Sequence, residues 1–180
     1  MERYEIVLSG FGGQGIILGG IILAEAAAIY DDKNATHNQS YGPEARGGAC
    51  KSEVIVSNKT IHYPEIHEPD ILVALTKEAA KKFSHNLKQD SIVLIDSSVG
   101  DVEVEQSVKV YSLPIIETAV KELRSELVTN MITLGALVQL TNIVSKDALE
   151  RAMLSRVPKG TRELNRNALL KGFELGKMVI

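Results

Sequence analysis

Short, unbroken apolar runs alternate with helically spaced stretches over the first two-thirds of the chain. Residues 5–9, 70–75, 92–96 and 108–112 are brief, rich in Val, Ile and Leu, and bounded by turn residues. That is the pattern of strands buried on both faces. Residues 16–29 are too long for a strand and apolar nearly all round, which predicts a helix sandwiched between layers. Thr76 is placed to cap a helix running to 87, and Lys88-Gln89-Asp90 turns the chain into the next strand. Residues 53–56 and 60–62 read as strands around a hairpin turn at Ser57-Asn58-Lys59. Beyond Pro114 the spacing is helical, over 115–123, 127–144, 146–156 and 162–178, with Ser145 and Thr161 as caps for the last two. Strands alternating with helices predict a layered α/β sheet with a helical end packed on it.

Composition narrows the function. The formal net charge of −3 leaves no basic face for a broad grip on nucleic acid, and 4% aromatic residues without tryptophan offer no stacking platform. A chain of 180 residues buries about 70% of its unfolded surface and fits one domain, so residues 1–180 are expected to form a single domain. The one cysteine, Cys50, allows no internal disulfide and no four-cysteine cluster within this chain. The charged start, Met1-Glu2-Arg3-Tyr4-Glu5, is unlike a signal peptide. The apolar stretch 16–30 contains Glu25 and is shorter than the ~20 residues of a membrane span. The expected location is the cytoplasm, with no membrane partner.

Two motifs carry candidate chemistry. The first is Gly10-x-Gly12-x-x-Gly15, between a predicted strand and a predicted helix. Glycines there permit a tight turn, let backbone N–H groups approach an anion and deliver it to a helix N-terminus. A dinucleotide site also calls for an acid at the end of the second strand. Asp31 and Asp32 lie near that spacing but precede the second strand, and His37-Asn38-Gln39-Ser40 follows it without an acid. Ile16 stands where a phosphate-loop lysine would be. The bland alternative is that these glycines serve only a tight turn and close helix–sheet packing.

The second motif is His37-Asn38-Gln39-Ser40-Tyr41-Gly42-Pro43-Glu44-Ala45-Arg46-Gly47-Gly48. Residues 35–48 show no periodicity and read as a long loop, with at most a short strand at 35–37. A polar run of that length is unusual as a mere connector. Arg46 offers a planar fork for phosphate or carboxylate, unless Glu44 occupies it as an ion-pair partner. Both loops leave strands at their carboxyl ends, the ligand side of a doubly wound sheet. His62 and His67 share no helix face, so a metal site is not expected; Cys50 reads as a buried, inert thiol.

Ser9-Gly10-Phe11-Gly12-Gly13-Gln14-Gly15 followed by Ser40-Tyr41-Gly42-Pro43-Glu44-Ala45-Arg46-Gly47-Gly48 resembles the gamma subunit of 2-oxoacid:acceptor (ferredoxin) oxidoreductases, most like the 2-oxoglutarate branch. Asn130-Met131-x-x-Leu134-Gly135-Ala136-Leu137 and Leu164-Asn165-x-x-Ala168 fit as well, so the likeness runs over nearly the whole chain. The resemblance implies a three-layer α/β/α fold with a mostly parallel, Rossmann-like sheet and C-terminal helices packed on it. It implies a subunit of an enzyme that oxidatively decarboxylates a 2-oxoacid to an acyl-coenzyme A and passes electrons to ferredoxin or flavodoxin. Thiamine diphosphate, magnesium and iron–sulfur clusters are then expected on alpha, beta and ferredoxin-like delta partners, with coenzyme A as a shared substrate and no cofactor bound by this chain alone. The residues expected to seat coenzyme A are Gly12, Gly13, Gln14 and Gly15 at the first loop and Ser40, Tyr41, Glu44 and Arg46 at the second; no acid, base or nucleophile is assigned. Two rivals stand beside this: a free-standing NAD(P)-binding oxidoreductase domain, and a purely structural assembly subunit docking through its apolar end from Phe173 to Ile180.

Overall fold

The computed structural model describes residues 3–40, 49–105 and 107–179. Its strands form one sheet in the order β2-β3-β1-β4-β5-β6, comprising β1 (Arg3–Phe11), β2 (Asn34–Ser40), β3 (Ala49–Ser57), β4 (Ile71–Ala74), β5 (Ile92–Asp96) and β6 (Lys109–Leu113). β1, β4, β5 and β6 pair in parallel, whereas β3 runs antiparallel to both β1 and β2. β3 is therefore the one reversed strand, and the sheet is mostly parallel as expected.

Strand alternation splits the core into two. Ile6, Leu8, Val54, Ile71, Val73 and Leu94 face one helical layer. It is built from α1 (Ile16–Glu25, extended by a π turn Ala26–Tyr30), α4 (Thr129–Thr141), α5 (Lys146–Arg156) and α6 (Arg162–Lys177). Val7, Leu72, Ala74, Val93 and Ile95 face the other side, covered by Ala79 and Ala80 of α2 (Lys77–Phe83) and by Val99. This gives the three layers. No described helix is long and apolar enough to cross a membrane.

Several boundaries differ from the expectations, each for a physical reason. The loop predicted over 35–48 begins instead with a full strand. β2 spans Asn34–Ser40, held by its ladder to β3 rather than by apolar burial, so its polar sequence hid it. The hairpin at 57–59 does not form. β3 ends at Ser57 opposite Arg3 of β1, and residues 60–62 pair with no strand. α2 stops at Phe83 rather than 87. α3 (Ile115–Glu117) passes into a π turn, Thr118–Glu122. The helix expected over 127–144 has a 3₁₀ turn before it and ends when Asn142 turns left-handed at φ 50°. α4 is more enclosed than α1: every residue from 129 to 138 is buried, while Leu18 and Ile29 of the first helix reach the surface.

Thr76 and Ser145 cap as expected, accepting from Ala79 N–H and Ala148 N–H. Thr161 does not cap α6; its hydroxyl donates to Pro158 O. Phe173 is a core residue under the Lys146 ammonium, 4.8 Å from its ring centre, which removes it from any apolar docking end.

β2 is tied to the sheet by a side-chain pair as well. His37 Nε2 lies 2.8 Å from Ser52 Oγ beneath Gly20, where a Cβ would overlap that hydroxyl. Burial pulls the His37 imidazole below the usual histidine pKa. The unfolded chain then takes up the proton first, so this contribution is intact above about pH 6.5 and is lost as pH falls toward the folded-state value. The urea midpoint is expected to fall between roughly pH 7 and 5.5, and His37→Gln to fall less steeply over that window. Equal slopes would show that His37 carries no such linkage.

Candidate functional site

The first glycine motif closes the carboxyl end of β1 and opens α1. Phe11 N–H donates to Gln14 Oε1 at 2.8 Å and Gln14 N–H donates to Phe11 O at 3.2 Å, which folds the turn tightly. Gly13 has φ 99° and Gly15 φ 72°, conformations a β-carbon opposes. Gly15 is the N-cap of α1 and has no capping side chain, so the first N–H groups of that helix have no partner inside it. Gly12 and Gly13 are exposed, with open space around them among the described residues, so an anion can reach the outer face of the turn. Gln14 acts here as the staple of the turn. Its carbonyl oxygen is spent on Phe11, and only its amide nitrogen remains to meet a ligand. Cys50 lies buried behind the loop, its thiol donating to Gly10 O at 3.2 Å, and burial pushes its pKa up, away from the reactive thiolate.

The second motif meets the same sheet edge. Ser40, exposed at the end of β2, pairs with Lys51 of β3, which pairs with Ser9 of β1. Two strand spacings, about 10 Å, therefore separate Ser40 from β1. Ala49 pairs with Phe11, so the chain re-enters the sheet beside the glycine turn. Tyr41, Glu44 and Arg46 lie outside the described residues, in the segment that joins these two points.

A crevice of about 340 Å³ opens next to the turn, lined by Phe11, Gln14, Thr76, Lys77, Glu78, Ser98 and Ile116. It lies where β1 sends the chain to one face of the sheet and β4 sends it to the other, the switch point where ligands bind in open α/β sheets. Asp96, at the end of β5, is the organiser. It is 1% exposed. Its carboxylate accepts from Ser98 N–H at 2.9 Å, Ser98 O–H at 2.5 Å and Ile116 N–H at 2.8 Å, fixing two walls of the crevice. A larger groove of about 500 Å³ follows α2 beyond Lys77, with Lys81 and His85 on one wall and Asp101 and Glu103 on the other. Sequence reasoning singled out neither Asp96 nor Lys77 as part of a site. An acid closing an apolar strand just before Ser97-Ser98 was the available signal for Asp96.

The dinucleotide arrangement is not built. β3 stands between β1 and β2, so the end of β2 is not beside the glycine turn as a ribose-binding acid requires. Asp31 lies at the far end of the first helix, roughly 20 Å along its axis. There its carboxylate accepts from Ser145 N–H at 2.6 Å, Ser145 O–H at 2.7 Å and the Lys33 ammonium at 3.3 Å. Burial pushes the Asp31 pKa up, but these hydrogen bonds outweigh it and hold the group below the ordinary carboxylate value.

Comparison with known proteins agrees with this architecture. Residues 5–175 match the family model described as pyruvate ferredoxin/flavodoxin oxidoreductase. The chain is 50% identical to 2-oxoglutarate synthase subunit KorC of Methanocaldococcus jannaschii, over 97% of this chain and 95% of that one. It is 43% identical to the KorC subunit of Methanothermobacter thermautotrophicus, over 96% and 95%. The keto/oxoacid ferredoxin oxidoreductase gamma subunit of Geobacter sulfurreducens superposes with a TM-score of 0.89 at 47% identity, covering 99% of this chain and 98% of that one. The 2-oxoglutarate:ferredoxin oxidoreductase of Magnetococcus marinus, solved with 2-oxoglutarate, coenzyme A and succinyl-CoA bound, superposes with a TM-score of 0.87 at 26% identity. There the match covers 99% of this chain but 32% of that longer one.

Proposed function

Because the chain belongs to the pyruvate ferredoxin/flavodoxin oxidoreductase family, with KorC subunits among its full-length relatives, we propose that it is the gamma subunit of a 2-oxoglutarate:acceptor oxidoreductase and contributes part of the coenzyme A site. One observation carries the site assignment. A left-handed glycine opens α1 at the switch-point crevice, and the chain leaving β2 at Ser40 returns beside it at Ala49.

In this reading, backbone N–H groups of Gly12, Gly13 and Gly15 and of the first turn of α1 receive a phosphate of coenzyme A. Gln14 fixes the turn. Ser40, Tyr41 and Glu44 border the ligand, and the Arg46 guanidinium takes a phosphate by its two-pronged face. The work of these residues is to hold the thiol end in place, which lowers a barrier without any acid or base in this chain. Thiamine diphosphate with magnesium, and iron–sulfur clusters, supply decarboxylation and electron transfer on alpha, beta and delta partners in the cytoplasm, with ferredoxin or flavodoxin as acceptor. The single buried thiol of this chain does not fit a cluster.

Arg46→Ala in the assembled complex is expected to raise the KM for coenzyme A about tenfold, the loss of one charge-assisted contact, and to leave the KM for 2-oxoglutarate unchanged. An unchanged coenzyme A KM in an intact complex removes Arg46 from this role.

A further inference from the structure

Asn130 is the second residue of α4, yet its side chain belongs to the start of α1. Its Nδ2 donates to Gly15 O at 3.2 Å. That carbonyl already accepts from Gly19 N–H at 2.8 Å, so the tie satisfies no orphaned group. The Asn130 side chain fills the space where a Gly15 Cβ would stand, with its Cγ 2.7 Å from that point, and its own Cβ packs 3.9 Å from the corresponding point at Gly19. Asn130 is 4% exposed, and its Oδ1 is buried without a hydrogen-bond partner among the described residues. A shape-matched apolar side chain would avoid that stranded acceptor at little loss. A polar group kept on such terms serves position rather than stability. The place fits that role. The first turns of α1 and α4 lie side by side here, two partial positive charges in contact, and an anion over the glycine turn offsets their repulsion.

We infer that Asn130 is the positioning residue of the glycine turn: from α4, the neighbouring helix of the same layer, it holds Gly15 and the first turn of α1 in the orientation that receives an anionic, phosphate-bearing ligand. The inference rests on the proposed role of that turn in seating coenzyme A. Asn130 touches the turn and acts through it.

The test is Asn130→Leu in the assembled complex. Leucine keeps the branched shape, removes the stranded oxygen and gives up the tie. The expected result is a coenzyme A KM raised about tenfold, with kcat and the KM for 2-oxoglutarate within about twofold and the melting temperature within a few degrees of the parent. A residue that merely packs would shift the melting temperature and leave both Michaelis constants alone. Gly13→Ala, strained by its φ of 99° and with nothing within 4 Å of its Cβ position among the described residues, is measured alongside. A coenzyme A KM raised by Gly13→Ala but not by Asn130→Leu overturns the positioning role alone. A KM moved by neither overturns the role of the turn as well. Should the leucine variant not assemble, Asn130→Ala is read by the same constants. Failure of both variants to assemble assigns Asn130 to folding and ends the inference.

Discussion

Gly172→Val is expected to cost this subunit a large share of its stability. α4 and α6 cross with backbone against backbone. A Cβ at Gly172 would overlap the Ile132 carbonyl oxygen and stand 2.8 Å from Gly135 Cα. From the other side, a Cβ at Gly135 would overlap the Leu169 carbonyl oxygen and come 2.9 Å from Gly172 Cα. Neither obstacle is a side chain that can swing away, so the helices must separate. α4 cannot yield inward, because residues 129 to 138 are already enclosed. Overpacking a core costs about 1–3 kcal/mol and occasionally more, and here only backbone movement relieves it. A loss of about 4 kcal/mol is a large share of a typical domain's stability and lowers a melting temperature by roughly 8–16 °C at this chain length. Gly160→Val is the control, since nothing stands within 4 Å of its Cβ position. It should change stability by about 0.5 kcal/mol or less. Thermal melts of the two variants that coincide would contradict the close crossing of α4 and α6.

The sequence discloses features that depend on burial and hides those that depend on contact. β1, β4 and β5 are legible because a strand covered on both faces has to be a continuous apolar run: Ile6 and Leu8 meet one layer, Val7 the other. β2 is illegible because Asn34–Ser40 is held by ladder bonds at the sheet edge, and those leave no mark on side-chain chemistry. The same holds for the hairpin expected at 57–59. Its turn residues are real turn formers, but the carboxyl end of β3 pairs with the amino ends of β1 and β2, the first more than fifty residues earlier in sequence. Gly135 and Gly172 look alike to any local pattern, and only their opposition across two helices gives them a reason. The candidate site divides the same way. The glycine turn is readable, since a strand, a turn and a helix are neighbours in sequence. That Asp96 and Asn130 reach the turn from distant segments is not, since only the fold brings them beside it.

Gly15→Ala is expected to produce the largest functional loss of any single methyl group in the chain, because two independent penalties act on it. At φ 72° an alanine carries about 1–2 kcal/mol of strain. Its Cβ would also overlap the Asn130 amide nitrogen, and Asn130 is buried, so its side chain must shift within the core. The first turn of α1 must then tilt, and in the proposed role of the turn its N–H groups no longer meet the ligand. A combined loss of about 3 kcal/mol in ligand binding corresponds to roughly a hundredfold rise in the coenzyme A KM of the assembled complex. Pairing Gly15→Ala with Asn130→Ala separates the two causes, as contacting residues in a double-mutant cycle should. The overlap with the Asn130 amide disappears in the pair, while the φ strain and a 3.1 Å approach to the Cβ at position 130 stay, so the double variant should bind coenzyme A no worse than Gly15→Ala alone, although Asn130→Ala by itself weakens binding. Losses that simply add would mean that the side chain of Asn130 does not press on Gly15. A Gly15→Ala complex with the parent's coenzyme A KM would show that the turn is packing and nothing more, and that the ligand is seated elsewhere in the assembly.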